Sequence, residues 1–248
     1  MKLYGLVGHP LSHSFSATFF NEKFKKENID AEYLNFDISS ISHFTSLIDR
    51  FPEIEGLNVT IPYKEKVIDF LDLMDEEAQS IGAVNVVKVY KDGHKRILKG
   101  YNSDIIGFTE SIKPLLDHNH KKALILGTGG ASKAVAFGLK KLGMDYKYVS
   151  RNPDMEKGII SYSDITESII NEYTVIVNTT PLGMYPNIDN CPDIPYYMLT
   201  EKHLCYDLVY NPEITKFMRL SSSHGAVVKN GYDMLLLQAL AAWKIWNE

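Results

Sequence analysis

The run Ala123-Leu-Ile-Leu126, followed by Gly127-Thr-Gly-Gly-Ala-Ser132 and the helix-periodic residues 133–142, constrains this chain more than any other segment. Buried strand, glycine turn and helix in that order make the opening unit of a parallel α/β sheet. Gly127 permits the tight turn, and Gly129 lets the backbone approach a pyrophosphate. Gly130 and Ala131 lead into a helix start whose unpaired N–H groups and positive dipole end favour an anion. The sixth position is Ser132 rather than Gly or Ala. A plain strand-to-helix turn could use the same glycines, but the flanking strand and helix favour a nucleotide. About 20 residues beyond such a loop, a carboxylate normally holds the ribose hydroxyls of NAD. Here the chain reads Ser150-Arg151-Asn152. A guanidinium there can pair with a 2′-phosphate, and no carboxylate repels it, so NADP is favoured over NAD. The alternative is that Arg151 is a plain loop residue.

With 248 residues, 45% of them hydrophobic, the chain can bury a sizeable core in two modest domains or one large one. A net charge of -5 with no basic cluster argues against nucleic acid as a partner. The first ten residues are too short and too broken by glycine for a signal peptide. No apolar run approaches the roughly 20 residues of a membrane span. A cytoplasmic protein acting on small molecules is expected, as a monomer or homodimer. Cys191 and Cys205 lie far from any CxxC spacing and read as plain thiols, with no metal site implied.

Short β-rich runs alternate with amphipathic stretches, a pattern that reads as α/β. Residues 3–8, 32–36 and 56–61 read as strands, and 15–26 and 42–50 as helices. Residues 84–90 and 95–98 alternate around Asp92-Gly93, which predicts a hairpin and an antiparallel element in the first half. Residues 102–116 read as a bridging helix broken near Pro114. In the second half, 146–149, 174–177 and 204–209 read as strands and 233–246 as an apolar helix. Only residues 152–158 separate Arg151 from the strand expected at Ile159, too few for a helical crossover.

Asn58-Val-Thr-Ile-Pro-Tyr-Lys64 brings a strand to a proline stop and delivers polar side chains and a lysine from a rigid strand end. Lys64 also fits the bland start of a surface helix over 64–71. Thr179 lies in a polar loop after a buried strand, where open α/β sheets bind ligands.

Seven motifs in register resemble the shikimate dehydrogenases from residue 3 almost to the C-terminus. They are His13-Ser14-Phe-Ser16, Asn58 to Lys64, Gly82-Ala-Val-Asn85, Asn102-Ser-Asp104, Gly127 to Ser132, Asp207-Leu-Val-Tyr210-Asn-Pro, and Asn230-Gly231 followed by Met234 and Gln238. The resemblance implies reversible NADP-linked reduction of 3-dehydroshikimate to shikimate, a step toward chorismate and the aromatic amino acids. It implies that Ser14 and Ser16 hold the substrate carboxylate. Helix capping is the competing role for both, on the expectation that one hydroxyl serves only one of these ends well. It implies that Thr60, Asn85, Asn102, Asp104 and Gln238 bind the ring hydroxyls and reacting oxygen, with Tyr210 lining the pocket. Lys64 would be the general acid and base, oriented by Asp104. Asp104 equally suits a helix-start acid facing the dipole. Met234 is a core residue or a neighbour of the nicotinamide.

The same resemblance assigns Gly127, Gly129, Gly130 and Ala131 to the pyrophosphate, and Ser150, Arg151 and Asn152 to the adenosine phosphate. Leu208 and Gly231 fall near the nicotinamide, with Thr179 a weaker candidate and Glu76 a weaker one still. The family pattern carries a second arginine where this chain has Met155, so one phosphate clamp is missing. Lys157 is the only nearby substitute. The expected architecture is α/β with two domains: a mixed-sheet substrate domain over 1–101, and a Rossmann-like NADP-binding domain over 102–230. A C-terminal helix within 231–248 would return to the first domain, with the active site in the cleft between them. The alternatives are a quinate/shikimate dehydrogenase of relaxed choice, a folate-type methylene dehydrogenase, and a non-catalytic sensor of the same fold.

Overall fold

The computed structural model describes residues 1–11, 14–93 and 95–248. They form two compact units, Met1–Ser103 with Ala239–Glu248, and Asp104–Gln238. The first unit contains β1 (Lys2–Gly8), α1 (Phe15–Glu27), β2 (Ala31–Asp37), α2 (Phe44–Arg50), β3 (Ile54–Val59), β4 (Leu73–Met74), α3 (Glu76–Ile81), β5 (Val86–Asp92) and β6 (Lys95–Tyr101).

Among the described residues these strands make a six-stranded sheet in the order β2-β1-β3-β5-β6-β4. β1 runs parallel to both its neighbours, whereas β5 runs antiparallel to β3 and β6. The sheet is mixed because β5 and β6 form the expected hairpin. Its turn lies one residue later than the dipeptide suggested: Asp92 still pairs with Lys95, and Gly93, at φ 60°, carries the reversal. One face packs Val7, Leu57, Val59 and Val87 against Phe44 and Leu47 of α2. The other packs Tyr4, Phe20, Phe24 and Tyr33 with Trp246 from the chain's end. Any side chain at residue 56 would collide with the Trp246 indole, which explains Gly56.

The second unit contains α4 (Asp104–Ile112), β7 (Lys122–Leu126), α5 (Gly130–Lys141), β8 (Asp145–Val149), β9 (Ile159–Ile160), α6 (Glu167–Glu172), β10 (Val175–Asn178), β11 (Leu204–Asp207), α7 (Lys216–Ser223) and β12 (Val227–Lys229). A last helix, α8 (Tyr232–Asn247), begins here and ends in the first unit. The strands lie in the order β12-β11-β10-β7-β8-β9, and every pairing is parallel. Counted from β7 this is 3-2-1-4-5-6, the dinucleotide-binding order, with its switch point between β7 and β10. The connection from β8 to β9 holds only a one-turn 3₁₀ segment, Met155–Lys157, as its length required.

Several boundaries depart from expectation. β3 ends at Val59, because the carbonyl of Thr60 turns to accept the Tyr63 N–H at 2.9 Å. The helix expected over 102–116 starts at Asp104, and just before it the Asn85 side chain accepts the Ser103 N–H at 2.7 Å. The second unit extends through Gln238, so residues 231–238 do not belong to the first unit as expected. The cause is packing: Met234 is buried in the core with Phe108, Val135 and Tyr206.

Candidate functional site

In the first unit, backbone hydrogen bonds gather four of the implied substrate residues. The Thr60-to-Tyr63 turn brings the chain to Lys64, whose carbonyl accepts the Val84 N–H at 2.7 Å. The next carbonyl along, that of Asn85, accepts the Val59 N–H at 2.9 Å. Asn85 itself donates its backbone N–H to Tyr101, next to Asn102, whose amide donates to the Ala83 carbonyl at 2.9 Å. Thr60, Lys64, Asn85 and Asn102 thus share one end of the sheet, although they span more than forty residues of sequence (60 to 102). Asn85 and Asn102 are buried, while Thr60 and Lys64 are half-buried. Asn85 is further held by the Ser103 hydroxyl at 3.1 Å.

Ser14 caps α1, its oxygen accepting the Ala17 N–H at 3.2 Å. The capping role weighed for Ser14 is the one this geometry displays. The cap uses an acceptor lone pair and leaves the hydroxyl proton to donate to a carboxylate. Ser16, in the first turn of α1, is half-buried and faces the Tyr33 hydroxyl. Tyr33, fully buried, donates to Asn58 Oδ1 at 2.8 Å, and Asn58 donates in turn to the Asn85 carbonyl at 3.3 Å. This pins the strand end from behind. His13 lies outside the described residues. Glu76 is an exposed first-turn residue of α3.

Asp104 is the first residue of α4 and is buried, and Gln238 is buried on α8 with its amide donating to the Leu235 carbonyl at 2.8 Å. Both belong to the second unit, as does Tyr210, which stands exposed after β11.

The nucleotide turn has the form its glycines require. Gly127 adopts φ 103°, and a Cβ there would press on Thr179 and Thr180. Gly129 is the N-cap of α5 with no side-chain cap bond, and among the described residues no atom beyond its own chain neighbourhood lies within 4 Å of where its Cβ would be. Gly130 and Ala131 form the first turn of α5. An open cradle at a helix start with uncapped N–H groups fits a pyrophosphate. Ser132, the unexpected sixth residue, is buried and ties its hydroxyl to the Gly129 carbonyl at 2.6 Å, so it stiffens the turn from within. The Thr179 hydroxyl donates to the Leu126 carbonyl at 2.7 Å and is therefore spent on joining two strand ends.

At the adenosine end, Ser150 accepts the Asn152 N–H at 3.1 Å, and Arg151 and Asn152 are exposed. Lys157 is paired with Asp154 at 2.9 Å, which holds that carboxyl below its usual range mainly through this bond. An engaged lysine beside a carboxylate is a poor replacement for the missing arginine.

Sequence reasoning passed over the roles of Asn178, Asp207 and Thr215, which are all fully buried at the carboxyl edge of this sheet. The legible signal was a carboxylate closing the otherwise apolar strand Leu204–Asp207.

This parallel sheet, with its glycine turn and an arginine after the second strand, defines a dinucleotide-binding unit, here joined to a mixed-sheet unit with a core of its own. Comparison with known proteins narrows the class. Residues 6–87 match the family model described as the shikimate dehydrogenase substrate binding domain. A shikimate dehydrogenase (NADP(+)) of Caldanaerobacter subterraneus subsp. tengcongensis is 36% identical over 268 residues, covering 99% of this chain and 91% of the relative. Among solved structures, shikimate 5-dehydrogenase from Thermus thermophilus in complex with NADP(H) and shikimate matches with TM-score 0.85 at 30% identity, covering 99% of this chain and 93% of that one. Quinate dehydrogenase from Corynebacterium glutamicum in complex with NAD matches with TM-score 0.86 at 25% identity, covering 99% and 93%. The chain belongs to the shikimate dehydrogenase family. No described helix is long and apolar enough to cross a membrane.

Proposed function

We propose that this protein catalyses the reversible NADPH-dependent reduction of 3-dehydroshikimate to shikimate, in the cytoplasm and as a monomer or homodimer. The observation that carries the reading is the convergence of Thr60, Lys64, Asn85 and Asn102 through the Val84-to-Lys64 and Val59-to-Asn85 backbone bonds. A polyol needs several fixed hydrogen-bonding side chains around one proton donor, and this strand end supplies them. The bound cofactor supplies the hydride. As negative charge grows on the substrate oxygen, the Lys64 ammonium stabilises it and delivers the proton, and the same amine takes the proton back in oxidation. Asp104 orients that ammonium and balances its charge. Ser14, with its proton free of the helix cap, and Ser16 grip the ring carboxylate; Gln238 and Tyr210 are the remaining residues assigned to the substrate.

The cofactor is held by Gly127 to Ala131 and by Arg151, with Ser150 and Asn152 shaping the phosphate loop. With only one arginine there, the discrimination against NAD is modest. Steady-state rates with shikimate and quinate, each against NADP and NAD, test the reading: shikimate with NADP should give the highest kcat/KM. Lys64→Ala should fold, bind shikimate and lose on the order of 10²–10⁴ in kcat. A near-normal kcat would remove Lys64 from the chemistry, and a preference for quinate would reassign the substrate.

A further inference from the structure

Asp207 is completely buried at the end of β11, and its three hydrogen-bond donors among the described residues are all neutral. The Thr215 hydroxyl donates to Oδ2 at 2.6 Å, while the Asn178 amide and the Val209 N–H donate to Oδ1 at 2.9 and 3.0 Å. One carboxylate therefore ties together the end of β10, the segment after β11 and the start of α7, which Thr215 also caps. That segment is fixed from two further directions. The Leu208 N–H reaches the Asn178 carbonyl at 3.0 Å, and the Gly231 N–H reaches the Val209 carbonyl at 3.1 Å. Gly231 lies so close to the Leu208 backbone that no side chain fits there.

A buried carboxylate without a cation is costly, and an asparagine would aim an N–H at one of these donors. Burial lifts the Asp207 carboxyl to about 6, although all three hydrogen bonds pull it down. At neutral pH the group is ionised. The ionisable side chains whose fields reach it are Cys205, which burial lifts to about 12, and Tyr196, lifted further still; both stay neutral across the working range. The cations of the α7 segment point elsewhere, Lys216 to the Asp189 carbonyl and Arg219 to that of Ile214.

We propose that Asp207 is a positioning residue for the nicotinamide end of the cofactor, and that its uncompensated negative charge favours the oxidised, cationic ring over the reduced, neutral one. This rests on the assignment of Leu208 and Gly231 to the nicotinamide. For scale, a unit charge at a separation of about 10 Å and an effective dielectric constant of about 20 would change that balance by roughly 15-fold, and by less where salt screens it.

The test is binary binding of NADP+ and NADPH to the intact protein, without substrate, across pH 5 to 8, read by fluorescence. The 2′-phosphate titrates in both cofactors and cancels from the ratio of dissociation constants. As pH falls through about 6, the wild-type preference should move toward NADPH by roughly threefold or more. Asp207→Asn should hold the low-pH ratio at every pH. Thr215→Val keeps the side-chain shape but removes a donor to the ionised form, so it should shift the midpoint upward even if Asp207→Asn fails to fold. A flat wild-type ratio, or the same titration persisting in Asp207→Asn, overturns the proposal. Failure of both cofactors to bind at any pH overturns the dehydrogenase reading instead.

Discussion

Arg151 stands exposed after β8 with Ser150 folded back on the Asn152 N–H, and it presents the only guanidinium in that loop. Where two arginines share a phosphate, losing one leaves a partner to hold the charge. Here the later position is Met155, exposed, and Lys157 is already paired with Asp154. Arg151→Ala should therefore raise KM for NADP by roughly 10- to 100-fold while changing KM for NAD less than twofold, since a charge-assisted phosphate contact contributes roughly 1.5–3 kcal/mol. An equal effect on both cofactors would show that Arg151 does not read the 2′-phosphate. At this scale the sequence could be read well for residues that act through local chain geometry. Gly127, with its positive φ, and Gly129, at the helix start, stand where their residue types demand. Residues acting through distant partners were harder to read. The hydroxyl of Thr179 looks available in its loop, and only the parallel register of β7 and β10 reveals that Leu126 takes its proton.

Elements were legible wherever their periodicity was local. The turn between β7 and α5, the hairpin and the apolar α8 could all be placed from side-chain pattern alone, whereas β4, two residues long, exists only through its pairing with β6. Helices α6 and α7 escaped because each is short and anchored by an N-cap threonine, Thr166 and Thr215, rather than by a long apolar stripe. The β5–β6 hairpin also carries a conflict invisible before the register is known. Lys88 and Lys99 are direct cross-strand partners, Lys88 is buried, and neither makes an ion pair among the described residues. Each ammonium instead lies over a tyrosine ring, Tyr90 at 4.8 Å and Tyr101 at 5.1 Å. Replacing like charges by an opposite pair on a sheet gains roughly 0.2–1 kcal/mol, partly offset by the lost cation–π contact. Lys99→Glu should thus raise stability by about 0.5 kcal/mol in urea melts, an increment that shrinks in high salt. Destabilisation would mean that the stacking of Lys99 on Tyr101 outweighs the repulsion.

For the molecule as a whole, two domains and a returning C-terminal helix were expected from the pattern, but the residue at which that helix passes from one unit to the other was not legible. The sequence of α8 is mostly apolar from Met234 to Trp246, with Gln238 and Lys244 as its polar interruptions, and nothing in that pattern marks Ala239 as the residue where one core gives way to another. The partition is a matter of partners: Met234 packs with Phe108 and Tyr206, whereas Trp246 packs with Tyr4 at 4.9 Å and Phe20 at 5.3 Å and donates its indole N–H to the Val87 carbonyl at 3.1 Å. The first unit therefore depends for its core on residues that reach it last. Truncating so large a buried side chain costs about 3–5 kcal/mol, comparable to much of a domain's stability. Trp246→Ala should melt the first unit at a lower temperature than the second, splitting the unfolding transition in calorimetry. Because the nucleotide turn and its strands lie wholly in the second unit, NADPH should still bind and should raise only the upper transition. A single transition displaced as one would show that the two units unfold together, and loss of NADPH binding in the folded variant would show that the cofactor half is not self-sufficient.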